Sequence, residues 1–272
     1  MHALKQAEFI ETLTKLSESN QTLYTTHSPF LVGSNELDKV RVVEMPDRTV
    51  GTKVNVSLTA SDSGAMLPLQ EALGYDLAQS LFFHKKNLVL EGLTDMWYLE
   101  NLSDLLEADG KTGINDQIAL IPANSASKVV YFATILHAQN LKLAALLDSD
   151  AEGDTAAKQD TLVNAVGAKR ILRTKDAYSG QVPNPEIEDI LRETLLDIAK
   201  NECGWDAIAV AQAQPKRPVV DVIKSVAKTD FSKYKLAKAF IRWSRDHSMT
   251  DLKTDEIAQA EKLIEKINKA LQ

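Results

Sequence analysis

From residue 87 onward, short apolar runs alternate along the chain with segments whose apolar residues have helical spacing. Four runs have the Val, Ile and Leu content of buried strands, at 88–90, 117–121, 141–147 and 170–172. Helical spacing fills the intervals at about 95–106, 127–139 and within 154–166. Continuous apolar strands that alternate with helices are typical of a parallel sheet covered on both faces. We therefore predict an α/β fold whose catalytic groups lie at the carboxyl ends of the strands.

The rest of the chain has weaker patterns. Before residue 87 they predict a helix over 4–19, a strand over 22–26, two strands within 39–58 and a mostly helical connector over 64–83. After about Glu186 the spacing is almost wholly helical. Thr254 is expected to cap a last helix. The apolar stripe of that helix consists of Ile257, Leu263, Ile264, Ile267 and Leu271.

Charge is distributed unevenly along the sequence. The 272 residues include 31 Lys and Arg and 38 Asp and Glu, for a net charge of −7. The segment from Lys216 to Arg245 nevertheless holds nine basic residues and only Asp221 and Asp230 as acids. A basic segment on an acidic body is expected where a carboxylate metal centre lies beside a phosphate-contacting surface. A solvated helix face explains the same charge pattern equally well.

Composition narrows the kind of metal site that the chain can build. Cys203 is the single cysteine, so no internal disulfide can form and a reducing, cytoplasmic location is expected. One thiol and five scattered histidines argue against a structural zinc site. No apolar run reaches the roughly 18 residues of a membrane span, and no signal-peptide pattern is present, so no membrane partner is expected. A metal site here must use oxygen ligands, which favours magnesium, manganese or calcium.

Three groups of acidic residues follow predicted strands. Glu91 and Gly92 follow the first strand, with Asp95 at the first helical turn; Asp148 and Asp150 follow the third strand; Glu186 and Glu188 lie just past the fourth. Parallel topology brings such strand ends to one edge of the sheet. Two like charges about 4 Å apart repel by about 4 kcal/mol at an effective dielectric near 20. A cluster of this kind therefore requires cations between its carboxylates.

These acidic residues also fit interpretations other than a metal site. Asp95 at a helix start is also a favourable partner for the helix dipole, without any ligand. The stretch from Asp148 to Gly153 resembles the opening of a calcium EF-loop, but its twelfth position is Gln159 and a strand precedes it. The Asp-x-Asp pair also suits a haloacid-dehalogenase-type phosphatase, although the motif lies on a third strand rather than a first. A non-catalytic DNA-binding or dimerisation module, in which the acids only cap helices, is a further alternative.

Together the motifs carry a family resemblance. Glu91-Gly92 after one strand and Asp148-x-Asp150 after another resemble a Toprim domain, the metal-dependent fold of topoisomerases, primases and some nucleases. The spacing from Glu91 to Asp95, the Glu186 and Glu188 pair, and the run 25–30 (Thr-Thr-His-Ser-Pro-Phe) narrow the resemblance. Over most of residues 20–240 the chain is similar to the C-terminal region of OLD-family (overcoming lysogenization defect) nucleases.

The resemblance implies a domain order. In that family an ABC-type ATPase ends in a Thr-His-Ser-Pro loop whose histidine contacts the nucleotide, and a Toprim nuclease follows. This sequence has no G-x-x-x-x-G-K-[ST], so His27 has no phosphate cradle to complete. We expect residues 1–50 to be the C-terminal remnant of an ATPase domain. A connector over 51–84, a Toprim catalytic domain over 85–200 and a helical appendage with the basic segment over 201–272 are expected to follow.

The resemblance also implies an activity, metal-dependent DNA endonuclease, with two Mg²⁺ or Mn²⁺ ions about 3.5–4 Å apart. Asp148 and Asp150 would hold one ion, and Asp95, Glu186 and Glu188 the other. Glu91 would lie between the ions or act as general base. Ca²⁺ is expected to bind without supporting turnover. DNA and the rest of the ATPase domain are the implied partners, with a homodimer and a helicase partner left open.

Basic residues complete the expected site. OLD-type nucleases place a lysine after the Toprim core near the cleaved phosphate, and Lys233 matches this position best, with Lys235 second. Helical spacing puts Lys235 on one face with three further candidates for DNA contact, which are Lys238, Arg242 and Arg245. Lys128, which follows the second strand, is another candidate phosphate contact.

Overall fold

The chain divides into two compact units, residues 1–79 and 80–272. The computed structural model describes residues 9, 12–17, 19–26, 41–45, 49, 51–55, 85–123, 125–138 and 141–272. Among these residues, no helix combines the length and the apolar character needed to cross a membrane.

In the first unit, the two strands predicted within 39–58 are confirmed. They are β1 (Val42–Glu44) and β2 (Lys53–Asn55), which pair antiparallel with Val43 opposite Val54. Residues 12–17 are helical, within the predicted helix over 4–19. The strand predicted over 22–26 is wrong: these residues are not in a strand, because β-branched content alone does not make one. The loop from His27 to Phe30, the connector helix over 64–83 and most of the predicted ATPase remnant lie outside the described residues.

A four-stranded parallel sheet forms the core of the second unit. Its strands are β3 (Lys86–Leu90), β4 (Ile118–Pro122), β5 (Lys142–Leu147) and β6 (Ile171–Arg173). Their spatial order is β4-β3-β5-β6, and every neighbouring pair is parallel. The side chains from Leu88 to Leu90 and from Leu143 to Leu147 are buried, as expected for a sheet covered on both faces. The predicted α/β fold is therefore confirmed.

Four helices connect these strands. They are α1 (Leu93–Ala108), α2 (Ala126–Ala138), α3 (Ala151–Ala157) and α4 (Asp160–Val166). The single helix predicted within 154–166 is two helices, since Asp150 caps α3 early and the chain is extended again at Gln159. From β3 the chain moves to β4 on one side, and then to β5 and β6 on the other. The strand order therefore reverses between β3 and β5, and the carboxyl ends beside such a switch point form the usual ligand crevice.

The C-terminal part is helical, as predicted. Its helices are α5 (Arg192–Cys203), α6 (Ile208–Ala213), α7 (Val219–Ala227), α8 (Lys233–Asp246) and α9 (Thr254–Ala270). Helix α8 packs against both α1 and α5. Its Phe240 is fully buried against Tyr98 of α1, with ring centroids 5.3 Å apart. This packing joins the C-terminal helices to the sheet, although the four-part division expected from the sequence stays a prediction.

The last helix differs in detail from its prediction. The residue that caps α9 is Lys253 rather than Thr254, and its N–H donates to Oε2 of Glu256 over 3.1 Å. Leu263, Ile264 and Ile267 of the predicted apolar stripe are buried, whereas Ile257 is only half-buried.

Candidate active site

The acids that follow β3 and β5 meet at the switch point of the sheet. Glu91 is the first residue after β3, and its Oε1 accepts the backbone N–H of Asp148, 2.9 Å away, directly after β5. Because β3 and β5 are hydrogen-bonded neighbours in parallel register, their carboxyl ends are adjacent. Two of the three predicted acidic groups are thus joined by a direct hydrogen bond.

The turn after β5 is closely packed against this contact. Asp150 is the N-cap of α3, and its Oδ1 accepts the N–H of Gly153 over 2.7 Å. A Cβ at Gly153 would lie 2.1 Å from the Asp148 carbonyl oxygen and 2.9 Å from Oε1 of Glu91. Only glycine, which has no Cβ, fits there without displacing one of the two acids.

Asp95 lies in the first turn of α1 and is only 7% exposed. Its Oδ2 accepts the N–H of Gly92 over 2.8 Å, and its Oδ1 lies 3.4 Å from the hydroxyl of Thr94. Asp95 therefore has the helix-start role that the sequence offered as an alternative. The role of Asp95 as a metal ligand stays a prediction.

The third acidic group comes from the segment before α5, and a lysine of α8 lies on it. Nζ of Lys233 lies 2.7 Å from Oε2 of Glu186 and 3.4 Å from Oε1 of Glu188. Glu188 is 1% exposed, and both of its carboxylate oxygens are buried without a hydrogen bond from the part of the chain that the structure describes. The backbone N–H of Ile187, between the two glutamates, donates to Oδ1 of Asp148 over 3.1 Å. This hydrogen bond ties the third acidic group to the second.

Burial and mutual repulsion control the protonation of these acids. Burial, together with the charges of Asp95 and Asp150, raises the pKa of Glu91 to about 7, although the hydrogen bond from the Asp148 N–H lowers it. Burial also raises the pKa of Asp95 to about 7, with the charge of Glu188 adding to the shift. The pKa of Asp148 lies well above its usual value, because the group is buried and near Asp95 and Glu188. A cation that neutralises these groups is therefore strongly favoured.

Lys233 is the basic residue that these acids stabilise. Burial opposes its charge, but Glu188, Glu186 and Asp148 together hold the pKa of Lys233 above its usual value. Its ammonium group is therefore charged at any working pH.

The donor set suits a hard divalent cation. Every candidate ligand is a carboxylate, and oxygen ligands are those that Mg²⁺, Mn²⁺ and Ca²⁺ prefer. The Glu188 oxygens suit metal ligands, since neither accepts a hydrogen bond from the described residues and the 3.4 Å ion pair of Oε1 with Lys233 leaves Oε2 available. Among the described residues, no three acidic, histidine or cysteine side chains already stand in the geometry of a metal cage. Carboxylates repel one another, and the Lys233 ammonium lies within 3.4 Å of two of them.

The other predicted basic residues lie away from the acids or in different surroundings. Nζ of Lys235 lies 2.9 Å from Oδ2 of Asp230 and 4.7 Å from the ring centroid of Trp205, so it points to a different surface from Lys233. Arg242 pairs with Glu202 over 3.0 Å, and Arg245 is exposed.

Lys238, on the predicted basic face of α8, is less accessible than its neighbours on that face. Lys238 is only 8% exposed, because α8 packs on two sides and buries the stem of this side chain. Lys128 is exposed in the first turn of α2. The roles of these residues in DNA contact stay predictions.

Sequence reasoning missed several polar residues that hold the acids in place. Thr174 donates its hydroxyl to Oδ1 of Asp148 over 3.2 Å, and the Arg173 guanidinium donates to the Asp148 carbonyl oxygen. Asp189 accepts the N–H of Glu186 over 3.0 Å and that of Val219 over 2.8 Å, and burial raises its pKa to about 7. Asp189 follows Glu188 directly, so a third acid in that group was the available signal. Thr174 and Arg173 belong to no motif, and only the pairing of β6 with β5 reveals them.

Comparison with known proteins covers the part of the chain that builds the first two acidic groups. Residues 82–150 match the family described as "Overcoming lysogenization defect protein-like, TOPRIM domain". The uncharacterized protein MJECL43 of Methanocaldococcus jannaschii is 34% identical over 76 residues. That match spans 28% of this chain and 20% of the relative.

The matched family agrees with the site geometry. The matched region runs from just before β3 to Asp150, so it contains Glu91, Asp95, Asp148 and Asp150. Toprim domains bind divalent metals and are typical of nucleases and primases, which makes an enzymatic, metal-binding role the coarse functional assignment. The region of residues 82–150 is thus confirmed as resembling the Toprim domain of OLD-like proteins.

Proposed function

We propose that this chain carries the nuclease site of a metal-dependent DNA endonuclease. The observation that carries the proposal is the joining of three acidic groups and one lysine at the switch point of the sheet. Glu91 contacts Asp148 from the neighbouring strand, and Lys233 reaches Glu186 and Glu188 from α8. Acids with an adjacent cation are groups that suit phosphodiester hydrolysis.

Different residues have different roles in the proposed hydrolysis. A divalent cation bound by the acids supplies positive charge that polarises a phosphate oxygen and makes water a better nucleophile. Glu91 keeps Oε2 outside its bond to Asp148, so this oxygen is the proposed acceptor of the proton from the attacking water. The Lys233 ammonium provides a fixed positive charge for the phosphate oxygens, on which negative charge increases in the transition state.

DNA is the proposed substrate because of the basic segment beside this site. Five of its basic residues are exposed: Lys216, Lys224, Lys228, Arg242 and Arg245. The segment includes all of α8 except its last residue, and the first residue of α8 is Lys233. A basic surface next to an acidic centre attracts a phosphate backbone while leaving the acids to bind cations.

The test is cleavage of supercoiled plasmid by the purified chain with Mg²⁺, Mn²⁺, Ca²⁺ or EDTA. We expect nicking or linearisation with Mg²⁺ or Mn²⁺, none with EDTA, and none with Asp148→Asn under any condition. Asp206→Asn is the matched control, because Asp206 is an exposed acid paired with Lys200 outside the site. Its cleavage rate is expected to equal that of the wild type.

Two outcomes would redirect the proposal. Plasmid that is retarded in a gel but stays supercoiled with every metal would favour a non-catalytic DNA-binding module. Release of phosphate from p-nitrophenyl phosphate without plasmid nicking would favour a phosphatase. Cleavage that persists in Asp148→Asn would show that the activity belongs to a contaminant or to another site.

A further inference from the structure

The end of β6 holds the acidic turn after β5 through three successive residues. The Arg173 guanidinium donates to the carbonyl oxygen of Asp148, and the Thr174 hydroxyl donates to Oδ1 of the same residue over 3.2 Å. The N–H of Lys175 then donates to Oγ of Ser149 over 3.0 Å. The parallel pairing of β6 with β5, which sets Arg173 opposite Leu147, brings these groups to the turn.

These contacts are buried and fix the direction of one carboxylate. Thr174 is 1% exposed and Arg173 is 7% exposed. Oδ1 of Asp148 accepts two hydrogen bonds, from the Thr174 hydroxyl and from the N–H of Ile187 over 3.1 Å. Two donors on one oxygen oppose rotation of the carboxylate, and Oδ2 lies outside both bonds.

Arg173 holds the same turn from its other side. A second nitrogen of its guanidinium, Nη1, lies 2.6 Å from Oδ1 of Asp154 in α3. The side chain thus connects the Asp148 carbonyl, before α3, to an acid within α3. This link fixes the path of the backbone between the two predicted ligands, Asp148 and Asp150.

We propose that Thr174 is a positioning residue that presents Asp148 to a divalent cation, with Arg173 fixing the peptide beneath it. The inference rests on the proposed function, because it assumes that Asp148 is a metal ligand. Groups that hydrogen-bond a metal ligand orient it and raise metal affinity, and their loss costs about 10–100-fold in affinity or activity. Thr174 contacts neither phosphate nor cation in this scheme and acts only through Asp148.

The test measures Mn²⁺ binding directly, by the electron paramagnetic resonance signal of free Mn²⁺ in a titration of the full chain. Thr174→Val keeps the shape and removes the hydroxyl, and we expect its Mn²⁺ affinity to fall by about 10-fold or more. Thr174→Ser restores the hydroxyl and is expected to bind nearly as tightly as the wild type. In plasmid cleavage, Thr174→Val should raise the Mn²⁺ concentration for half-maximal rate more than it lowers the rate at saturating Mn²⁺.

Thr134→Val is the matched control. The Thr134 hydroxyl donates to the carbonyl oxygen of Val130 over 2.8 Å within α2 and touches no acid of the site. Its removal is expected to leave Mn²⁺ affinity unchanged. Melting curves in EDTA establish that each variant is folded. Should Thr174→Val not fold, Thr174→Ala tests the same proposal, since it also removes the hydroxyl.

The outcomes separate this inference from the proposed function. Wild-type protein that binds no Mn²⁺ would overturn both. Wild-type protein that binds Mn²⁺, with Thr174→Val binding equally well, would overturn the positioning role and leave the nuclease proposal standing. Equal weakening by Thr174→Ser and Thr174→Val would also overturn it, because the hydroxyl would then not be the active group. If Thr174→Ala is used, unchanged Mn²⁺ affinity overturns the proposal and weakened affinity supports it.

Discussion

The ammonium group of Lys233 lies 2.7 Å from Oε2 of Glu186, although 47 residues separate them in the chain. Glu186 is positioned by its own N–H, which donates to Asp189, and Lys233 by the start of α8, which Ser232 caps. The contact between Lys233 and Glu186 therefore depends on how α8 packs against the rest of the unit. It also distinguishes Lys233 from Lys235, which pairs with Asp230 instead.

We predict that Lys233→Met lowers plasmid cleavage by about 10²–10³, the usual effect of removing one preorganised charge-stabilising group. DNA binding should weaken only modestly, since one phosphate contact of several is lost. The rise in melting temperature caused by Mg²⁺ or Mn²⁺ should remain, because methionine removes no carboxylate ligand. Cleavage kinetics, gel retardation and melting curves measure these three quantities.

Lys235→Met is the matched control for Lys233→Met, as it changes the same side chain two residues along the helix. Its partners, Asp230 and the Trp205 ring, lie outside the acidic site. Its cleavage rate should stay within a few-fold of the wild type. An inactive Lys235→Met together with an active Lys233→Met would assign the catalytic cation to the other lysine. Two active variants would direct the search to Lys128.

Gly153→Ala tests the close packing between the turn after β5 and Glu91. Helix propensity alone favours alanine over glycine in a helix by about 1 kcal/mol. The new Cβ would however lie 2.1 Å from the Asp148 carbonyl oxygen, and we expect a net loss of about 1–3 kcal/mol. In a unit of this size each kcal/mol lowers the melting temperature by about 2–4 °C. A melting temperature above that of the wild type would contradict the described packing.

Gly92→Ala is the graded comparison for Gly153→Ala. A Cβ at Gly92 would lie 3.3 Å from Oδ1 of Asp95, which is tight but requires only a small movement of that side chain. The backbone there is extended, with φ of −132°, so alanine adopts it without strain. The loss of stability should therefore be much smaller than for Gly153→Ala.

Divalent cations should stabilise the fold, and more strongly as the pH rises. The pKa values of Glu91 and Asp95 are raised to about 7, so the metal-free folded form keeps protons that the unfolded chain releases near pH 4. Its stability in EDTA should therefore fall as the pH rises from about 5 to 8. Above pH 7 the acids are ionised, and a cation no longer competes with protons for them.

Melting curves at pH 6 and pH 8, each with EDTA or millimolar Mn²⁺, measure this linkage. At 100 times the dissociation constant, binding contributes about 2.7 kcal/mol to stability. The increase caused by Mn²⁺ should be larger at pH 8 than at pH 6, and Asp148→Asn should reduce it at both. Identical curves with and without Mn²⁺ at pH 8 would contradict a shared site.

Periodicity predicted the second unit well because its strands are buried on both faces. The runs around Leu88 and Leu146 contain almost nothing but apolar residues, and each ends directly in an acid. The same argument failed at 22–26, where β-branched residues suggest a strand but the structure has none over these residues. Strand formation depends on a partner, and composition does not reveal one.

Which side chains contact the acids depends on tertiary packing, and no local sequence pattern predicts that packing. Lys233 and Lys235 lie about 200° apart around α8, so the register of one helix decides which lysine reaches the acids. Burial of Lys238 follows from the contact of α8 with two helices. Thr174 belongs to no motif, and its role depends on the neighbouring strand.

The carboxylate of Glu256 accepts hydrogen bonds from the first turns of two helices. It accepts the N–H of Lys253 over 3.1 Å at the start of α9, and the N–H of Thr194 over 3.0 Å in the first turn of α5. The Thr194 hydroxyl also donates a hydrogen bond to Oε2 of Glu256 over 2.5 Å. Glu256 is only 3% exposed. The first N–H groups of a helix have no partner within the helix, so this buried carboxylate satisfies donors that would otherwise be unpaired.

Glu256→Ala should therefore destabilise the second unit by about 1–3 kcal/mol, the cost of leaving a buried donor unsatisfied. Glu256→Gln keeps one carbonyl oxygen as acceptor and should lose less. Glu265→Ala, an exposed change in the same helix, is the control and should have almost no effect. Urea unfolding measures all three. The cleavage rate per folded molecule should be unchanged in each variant, because α9 contributes no residue to the acidic site. Reduced cleavage by folded Glu256→Ala would instead show that the junction of α5 and α9 helps to position Glu186 and Glu188.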